Sequence, residues 1–218
     1  MSAIQLRGYQ EQALAKLRSA LARNRRVVLH SPTGSGKTEM GMAMIRGAVG
    51  KGKRVAFIAN RKELVRQASR RLDAAGIAHG ILQADNTRSL DARVLVCSID
   101  TVHRRGLPDD VGLILIDEAH AAAGSVKYRE LLFKYNLVPV VGLSATPFSP
   151  GLGKPYRELG GRPLFAALVV ETAVLLYGMA WLIIGGMGLA TWASYQQSVA
   201  MPDEDELTAR IDKELGRK

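Results

Sequence analysis

The stretch that decides the fold is VVLHSPTGSGKT, residues 27–38. A short apolar run ends before Pro32, two glycines and a lysine–threonine pair follow, and a helical pattern then continues to about Ala48. A strand, a glycine-rich turn and a helix in this order form a phosphate-binding loop, because the turn points backbone N–H groups toward an anion and the helix adds its positive N-terminal end. Ser31 stands where such a loop usually has its first glycine.

Each residue of this loop has a predicted role in holding a magnesium triphosphate. The backbone of the turn is expected to cradle the phosphates, and it comprises Thr33, Gly34, Ser35 and Gly36. The Lys37 side chain can reach the β- and γ-phosphates, and the Thr38 hydroxyl can ligate Mg²⁺. ATP and Mg²⁺ are therefore the expected cofactors.

Short apolar runs alternate with helical patterns on both sides of the loop. Helices are predicted at residues 8–21, 37–48 and 62–75, and strands at 27–29, 55–58, 80–82, 94–96, 113–116 and 138–143. Such alternation indicates βαβ units and a mostly parallel sheet that is covered on both faces. An α/β fold is therefore expected.

A pair of carboxylates follows one of these strands, about eighty residues after the loop. The apolar run 113–116 leads directly into Asp117, Glu118, Ala119 and His120. Ligands of open α/β sheets bind at the carboxyl ends of the strands. There Asp117 can hold the Mg²⁺ shell, and Glu118 can orient or deprotonate the attacking water. With Lys37, these two acids are the predicted catalytic residues, whereas His120 taken by itself is equally a solvated residue at a helix start.

Together these motifs resemble the first RecA-like lobe of superfamily 2 helicases, of the DEAH and restriction-subunit type, over roughly residues 4–155. The resemblance implies a RecA-like P-loop domain in which residues 31–38 are motif I and residues 117–120 are motif II. It also implies that Gln10, beside Arg7, reads the adenine base.

The resemblance further implies two motifs that line a nucleic-acid strand and one that couples this strand to the nucleotide. The nucleic-acid contacts would come from Asn60, Arg61, Gln67, Ser98 and Thr101, and the arginines of the predicted helix at 62–75 add Arg66. Asp100 stands where the family more usually has Gln. The coupling residues would be His120, Ser144 and Thr146, of which the last two belong to the Ser-Ala-Thr motif III.

The region that carries these motifs is strongly basic. Residues 1–162 contain 26 lysines and arginines against 13 aspartates and glutamates, a net charge of +13, whereas residues 163–218 have a net charge of −3. A basic body of this strength favours a polyanionic partner, and double-stranded DNA is favoured by the resemblance alone. One predicted helix carries or adjoins four arginines: Arg61, Arg66, Arg70 and Arg71. They would bind phosphates in a salt-sensitive manner, or else form a solvated helix face.

Composition changes abruptly near residue 162, and three parts are predicted. These are a helicase ATP-binding domain at 1–162, a hydrophobic segment at 163–200 and a short charged tail at 201–218. Residues 172–195 carry no formal charge, and as a helix they would be about 36 Å long, enough to cross a hydrocarbon core of about 30 Å. The positive-inside bias places the ATP-binding domain in the cytoplasm and the C-terminus outside the inner or plasma membrane. Alternatively, this segment is a buried remnant of unrelated sequence fused by a frame change.

The resemblance also implies an active site divided between two lobes, and no second strand–helix series follows Thr146. We therefore expect an ATP- and nucleic-acid-binding helicase-type ATPase fragment that hydrolyses ATP weakly by itself and uses a second RecA-like lobe in trans. One alternative is a membrane-tethered nucleotide- and DNA-binding module without turnover, bound to the membrane through residues 172–195. Another is a truncated, non-functional helicase remnant of phage or prophage origin.

Overall fold

Strands and helices alternate along the chain, as the apolar runs predict. The computed structural model describes residues 6–32, 34–84, 86–146, 152–153, 155–156, 159 and 162–170. The helices are α1 (Gly8–Arg23), α2 (Lys37–Val49), α3 (Lys62–Ala74), α4 (Ile99–Arg105) and α5 (Val126–Lys134), with a 3-10 turn at Ala119–Ala122. The strands are β1 (Arg26–His30), β2 (Arg54–Ala59), β3 (Gly80–Gln83), β4 (Asn86–Arg88), β5 (Val94–Ser98), β6 (Val111–Ile116), β7 (Val140–Ser144), β8 (Pro155–Tyr156), β9 (Arg162–Pro163) and β10 (Ala167–Val170).

Eight of these strands form one sheet, in the order β10-β1-β7-β6-β2-β5-β3-β4. Neighbours are parallel throughout except for β3 and β4, which form an antiparallel edge. β7 lies between β1, which leads into the phosphate loop, and β6, which leads into the acidic pair. The carboxyl ends of these three strands therefore meet at one edge, and the prediction of a mostly parallel α/β sheet is confirmed.

Both faces of this sheet are buried, which explains the continuous apolar runs of its strands. Along β1, Val27 and Leu29 pack into one core with α1, α2 and α3, whereas Val28 packs into the other with α4 and α5. Alternate residues of β2 divide in the same way, because successive side chains of a strand point to opposite faces. Phe165 is fully buried in the second core.

The sheet continues past residue 162, where the change in composition suggested the end of the domain. β10 pairs in parallel with β1 and places Leu168 opposite Val28. Its residues Ala167–Val170 are uncharged and apolar, so their composition matches the hydrophobic segment that follows rather than the basic domain to which they are paired. The composition therefore could not mark this strand as part of the sheet.

The predicted membrane span, residues 172–195, lies outside the described residues, and so does the tail at 201–218. Within the described part of the chain, no helix combines the length and the apolar character that crossing a bilayer requires. The span therefore stays a prediction from the sequence.

Candidate nucleotide site and adjoining cleft

The phosphate loop is a tight turn between β1 and α2. Gly34 and Gly36 have φ angles of +83° and +82°, which favour glycine because it has no Cβ. The Ser35 N–H and hydroxyl both donate to the Pro32 carbonyl, at 3.2 and 2.7 Å. The Ser31 hydroxyl, at the position where a glycine is usual, hydrogen-bonds with the Ser35 hydroxyl. The loop is thus shaped by its own side chains as well as by its glycines.

The predicted adenine-reading residue packs directly against this loop. Gln10 Nε2 donates to the Ser35 carbonyl at 2.9 Å, and the Tyr9 hydroxyl donates to the same carbonyl at 3.1 Å. Gln10 Oε1 in turn accepts from the Arg7 N–H at 2.8 Å. A Cβ on Gly36 would collide with Gln10 Nε2, so a larger residue there would displace the Gln10 amide from the loop. Hydrogen bonds therefore connect Gln10, which would contact a base, with the loop that would contact phosphates.

The predicted catalytic residues meet where β6 ends. Lys37 Nζ lies 2.9 Å from Glu118 Oε1 and forms an ion pair with it. Glu118 has a left-handed backbone with φ of +49°, and its N–H donates to Asp117 Oδ1 at 3.1 Å. A strained backbone of this kind is typical of functional sites. Here it turns the Glu118 carboxylate toward the phosphate loop.

Asp117 and Thr38 supply the oxygen atoms that a metal ion would need. Burial raises the pKa of Asp117, the nearby Lys37 charge opposes that rise, and the neighbouring Glu118 adds to it. A carboxylate and a hydroxyl are hard oxygen donors of the kind that Mg²⁺ uses, together with phosphate oxygens and water. The residues at this strand edge therefore fit a magnesium triphosphate, although Thr33 of the predicted set lies outside the described residues.

Arg71 lies at the candidate nucleotide site, whereas the sequence grouped it with arginines predicted to bind nucleic acid. Its Nη1 donates to Thr38 Oγ1 at 2.8 Å. Its charge also acts on Asp117, where it lowers the pKa against the larger effect of burial. The long side chain can reach across from the last turn of α3, because α2 and α3 cover the same face of the sheet.

Ser144, at the end of β7, connects the loop with the acidic pair. Its carbonyl accepts from the Ser31 N–H at 3.0 Å, and its hydroxyl lies 3.2 Å from His120 Nδ1. The same hydroxyl accepts from the Thr146 N–H at 3.1 Å. His120 Nδ1 is also 3.3 Å from Glu118 Oε2. The three residues predicted to couple the two binding events therefore lie together beside Glu118.

His30, which the sequence analysis did not single out, makes a second link between β1 and motif III. The side chain is only 4% exposed, and its Nε2 donates to the Ala145 carbonyl at 3.0 Å. Burial lowers the pKa of His30, the bond to Ala145 opposes this, and the Lys37 charge lowers it further. A single histidine at the end of an apolar run gives no signal in the sequence that could have revealed this contact.

A glycine in β7 allows motif II to pack closely on the sheet. A Cβ on Gly142 would lie 2.6 Å from the Ala119 Cβ and 2.9 Å from the Phe165 ring. Real Cβ contacts essentially never come this close. Gly142 therefore sets the distance between β7 and the 3-10 turn that follows Glu118.

A cleft of about 480 Å³ opens beside this site, at the carboxyl ends of β2, β3 and β5. Its walls are formed by Lys62, Gln83, Ala84, Ser98, Asp100, Thr101, Arg104 and Arg105. Ser98 and Thr101, both predicted to contact nucleic acid, lie in its wall but are almost fully buried. The Thr101 hydroxyl accepts from the Ala84 N–H at 2.8 Å, so it also holds the turn after β3.

The cleft is predominantly basic. Lys62, Arg104 and Arg105 are exposed at its rim. The Asp100 carboxylate, the residue that departs from the family pattern, is paired with Lys127 Nζ of α5 at 2.5 Å. These side chains come from three separate segments of the chain, so the sequence indicated the general basic charge but not Lys62, Gln83, Arg104 and Arg105.

The other residues predicted to bind nucleic acid lie just before α3 and in its first half, and they do not form the wall of this cleft. Asn60 is half-buried just after β2, and Arg61, Arg66 and Gln67 are exposed. Arg66 forms an exposed ion pair with Glu63 at 3.4 Å. Arg61 and Arg66 add positive charge near Lys62 in the chain, whereas Asn60 and Gln67 are neutral.

Comparison with known families places this site in context. The family model described as "Type III restriction enzyme, res subunit" matches residues 3–149, about two thirds of the chain. The chain belongs to this family. The predicted resemblance is thereby confirmed: the res-subunit match identifies a superfamily 2 helicase lobe of the RecA-like type. Such a lobe implies binding of ATP and nucleic acid, and domains of this family typically use ATP and Mg²⁺.

A solved structure gives the same fold. The crystal structure of the Hef helicase domain from Pyrococcus furiosus is 24% identical to this chain, with a TM-score of 0.57. The match covers 77% of this chain and 38% of the Hef chain. The chain therefore spans less than half the length of that helicase domain. No curated protein matches the chain.

Proposed function

We propose that this domain is the nucleotide-binding half of a helicase-type motor, which holds MgATP at the phosphate loop and a nucleic-acid strand in the adjoining cleft. One observation carries the proposal: Lys37, at the start of α2, lies 2.9 Å from Glu118, at the end of β6. This contact brings motif I and motif II to one point. Assignment to the DEAH class is part of the proposal and depends on residues 117–120.

The residues around this point have distinct tasks. Backbone N–H groups at Gly34 and Gly36 would bind phosphate oxygens, as would the Lys37 ammonium. Thr38 and Asp117 would hold Mg²⁺, which when bound neutralises charge on the phosphates. Arg7 and Gln10 would bind the base, since the Gln10 amide is already fixed beside the loop.

Glu118 is the residue that would position and deprotonate the attacking water. It can do this only after its ion pair with Lys37 opens, because a carboxylate that is paired with an ammonium is a poorer base. Binding of phosphates would draw Lys37 away and leave the carboxylate facing the water. His120 and Ser144 lie against Glu118 and the loop, so they would transmit this change to motif III.

The cleft would hold the sugar–phosphate backbone rather than the bases. Lys62, Arg104 and Arg105 at its rim are cations suited to phosphates, and contacts of this type do not depend on sequence. Ser98 and Thr101 would contribute from the wall, with Asn60, Arg61, Arg66 and Gln67 on the adjoining surface. Double-stranded DNA is the favoured partner.

A second RecA-like lobe in trans would complete the motor. The chain spans only 38% of the Hef helicase domain chain, and a transition-state arginine from another lobe can raise phosphoryl-transfer rates by several orders of magnitude. We therefore propose weak ATP hydrolysis by this chain alone and faster hydrolysis when the partner lobe and DNA are added. A rate that stays at background with every such addition would leave the alternative of a binding module without turnover, or of a non-functional remnant.

The experiment that tests the proposal is titration of the full chain with ATP, with and without Mg²⁺ and duplex DNA. Saturable, Mg²⁺-dependent ATP uptake that Lys37→Ala abolishes and Lys16→Ala leaves intact would support it. Lys16 is an exposed lysine of α1 and serves as the matched control. ATP uptake that is equal in the two variants would contradict the loop assignment.

Membrane attachment is a second candidate function, favoured by the uncharged stretch 172–195. In this proposal the ATP-binding domain stays in the cytoplasm, anchored at the inner or plasma membrane with the C-terminus outside. The full chain should then remain with membranes after an alkaline wash, whereas a variant that lacks residues 172–195 should not. Recovery of the full chain in the washed supernatant would exclude the anchor.

A further inference from the structure

Arg71 is a cation of the nucleotide site that lies outside the motifs the sequence resembles. It belongs to the last turn of α3, whereas the phosphate loop is followed by α2. Its guanidinium donates to Thr38 Oγ1 at 2.8 Å. Thr38 is the residue that would ligate Mg²⁺, so Arg71 occupies the place next to the metal ligand.

This position cannot be kept once a metal ion is bound. A guanidinium within hydrogen-bond distance of a Mg²⁺ ligand lies only a few ångströms from a divalent cation, and like charges at that separation repel. The Arg71 side chain is exposed and belongs to a long, flexible residue, so it can move without disturbing the core. When Thr38 turns to the metal, the triphosphate would offer Arg71 a concentrated negative charge beside Asp117, on which Arg71 already acts.

The chemistry of the side chain suits that destination. Guanidinium is planar, remains charged at all relevant pH values and presents paired N–H donors that match phosphate oxygens. Its charge already reaches the site, since it acts on Asp117. Lys37 is held by Glu118 at 2.9 Å, so Arg71 is a second cation that comes from a different helix.

We propose that Arg71 is a phosphate-binding residue of this nucleotide site, which rests on Thr38 when the site is empty and transfers to a phosphate oxygen when a magnesium triphosphate binds. The proposal rests on the proposed function, because it presupposes that the loop binds a triphosphate. It adds a cation within the same lobe to a site that otherwise depends on Lys37 and a partner lobe.

The test compares four forms of the full chain: wild type, Arg71→Ala, Arg71→Lys and Arg18→Ala. Arg18 is an exposed arginine of α1 and controls for loss of surface charge. The probes are ATP and inorganic triphosphate, titrated without nucleic acid at saturating Mg²⁺, followed by a Mg²⁺ titration at fixed ATP. Arg71→Ala should weaken both probes at least tenfold, Arg71→Lys should recover only part of the affinity because it keeps the charge but not the paired donors, and Arg18→Ala should bind as wild type does.

Two results would overturn the proposal. If Arg71→Ala binds ATP as tightly as wild type, the guanidinium does not contact a phosphate. If it needs less Mg²⁺ for the same ATP affinity, Arg71 merely competes with the metal for Thr38. Circular dichroism and thermal melting show whether each variant is folded, and Arg71→Gln decides the matter if the alanine variant is not.

Failure of this proposal can be told apart from failure of the proposed function. If wild type takes up no ATP, the nucleotide assignment itself is wrong. If wild type binds ATP and Lys37→Ala does not, yet Arg71→Ala is indistinguishable from Arg18→Ala, only the role of Arg71 is refuted.

Discussion

The two halves of the sheet's carboxyl edge are built differently. Where β1, β7 and β6 end, polar groups are bonded to one another, as in the Lys37–Glu118 ion pair and the Ser144 contact with His120. Where β2, β5 and β3 end, the rim cations come from two separate segments: Lys62 begins α3, and Arg104 and Arg105 end α4. A connected site should lose its function in one step, whereas a surface of separate charges should lose affinity in increments.

Among single substitutions, Lys37→Ala should have the largest effect on the connected half of the edge, where β1, β7 and β6 end. This change removes the proposed counter-charge for phosphates and the Lys37–Glu118 ion pair. Charged hydrogen bonds to phosphates are strong, so we expect ATP binding to fall by at least about a hundredfold, or about 2.7 kcal/mol. Isothermal titration with ATP and Mg²⁺ measures the effect, and an affinity within threefold of wild type would show that Lys37 does not bind phosphate.

Glu118→Gln separates binding from chemistry within the same half. Glutamine keeps the shape of the side chain and can still accept from Lys37, but it cannot take a proton from water. A positioned base typically contributes about 10²–10⁴ in rate, so whatever ATP turnover the chain and its partner lobe show should fall by about a hundredfold or more. Phosphate release measures this, with ATP affinity as the internal control, and turnover equal to wild type would refute the role of Glu118.

Gly142→Ala tests whether close packing holds the connected half together. The added methyl group would push against Ala119 and Phe165, and overpacking of this kind costs about 1–3 kcal/mol of folding free energy. The control is Gly47→Ala, since Gly47 is exposed in α2 with open space around it. That change should stabilise the protein by up to about 1 kcal/mol. Chemical denaturation measures the free energy of unfolding of both variants. Equal values would show that β7 does not pack tightly against motif II.

The cleft should respond in increments. Arg104→Ala and Arg105→Ala should each weaken duplex DNA binding a few-fold and lower the salt dependence of the binding constant by about one unit of log–log slope. In the double variant the two losses of binding free energy should add, because each guanidinium would contact a different phosphate. Fluorescence anisotropy at several salt concentrations measures this, with Arg18→Ala as the control for general charge. An unchanged slope would place the DNA elsewhere.

The smallest effect is expected for His30→Gln, on the pH dependence of the free energy of unfolding. Burial lowers its pKa in the folded protein below the ordinary value of 6.5, so the unfolded chain binds the proton more readily. The free energy of unfolding should therefore fall as the pH drops through about 6.5 and below. Glutamine can donate to the Ala145 carbonyl without ionising, so His30→Gln should flatten this part of the profile. Denaturation between pH 5 and 8 measures this. If the unfolding free energies of wild type and His30→Gln change in parallel with pH, the expectation is wrong.

The sequence predicted the connected half better than the cleft, for a physical reason. A magnesium triphosphate demands particular residue types at adjacent positions, so residues 31–38 and 117–120 carry a local pattern that can be read without a structure. The rim of the cleft needs only positive charge, which many exposed residues supply. The sequence therefore indicated a polyanionic partner but not Lys62, Arg104 or Arg105.

Contacts between distant segments were also missed. Arg71 and Thr38 are 33 residues apart and belong to different helices, and no local pattern relates them. The bond from His30 to Ala145 spans 115 residues. β10 was missed because its apolar residues merge with the uncharged segment that follows. In each case the pairing depends on the order of the strands, which the spacing of apolar residues does not determine.

The most direct test of the account is a calorimetric titration of the folded full chain with ATP in the presence of Mg²⁺. If the glycine turn at β1 and the acids at β6 form one nucleotide site, the titration should saturate at one ATP per chain, and chelation of Mg²⁺ should weaken it markedly. Heat that never saturates, or binding of the same strength without the metal ion, would contradict the account.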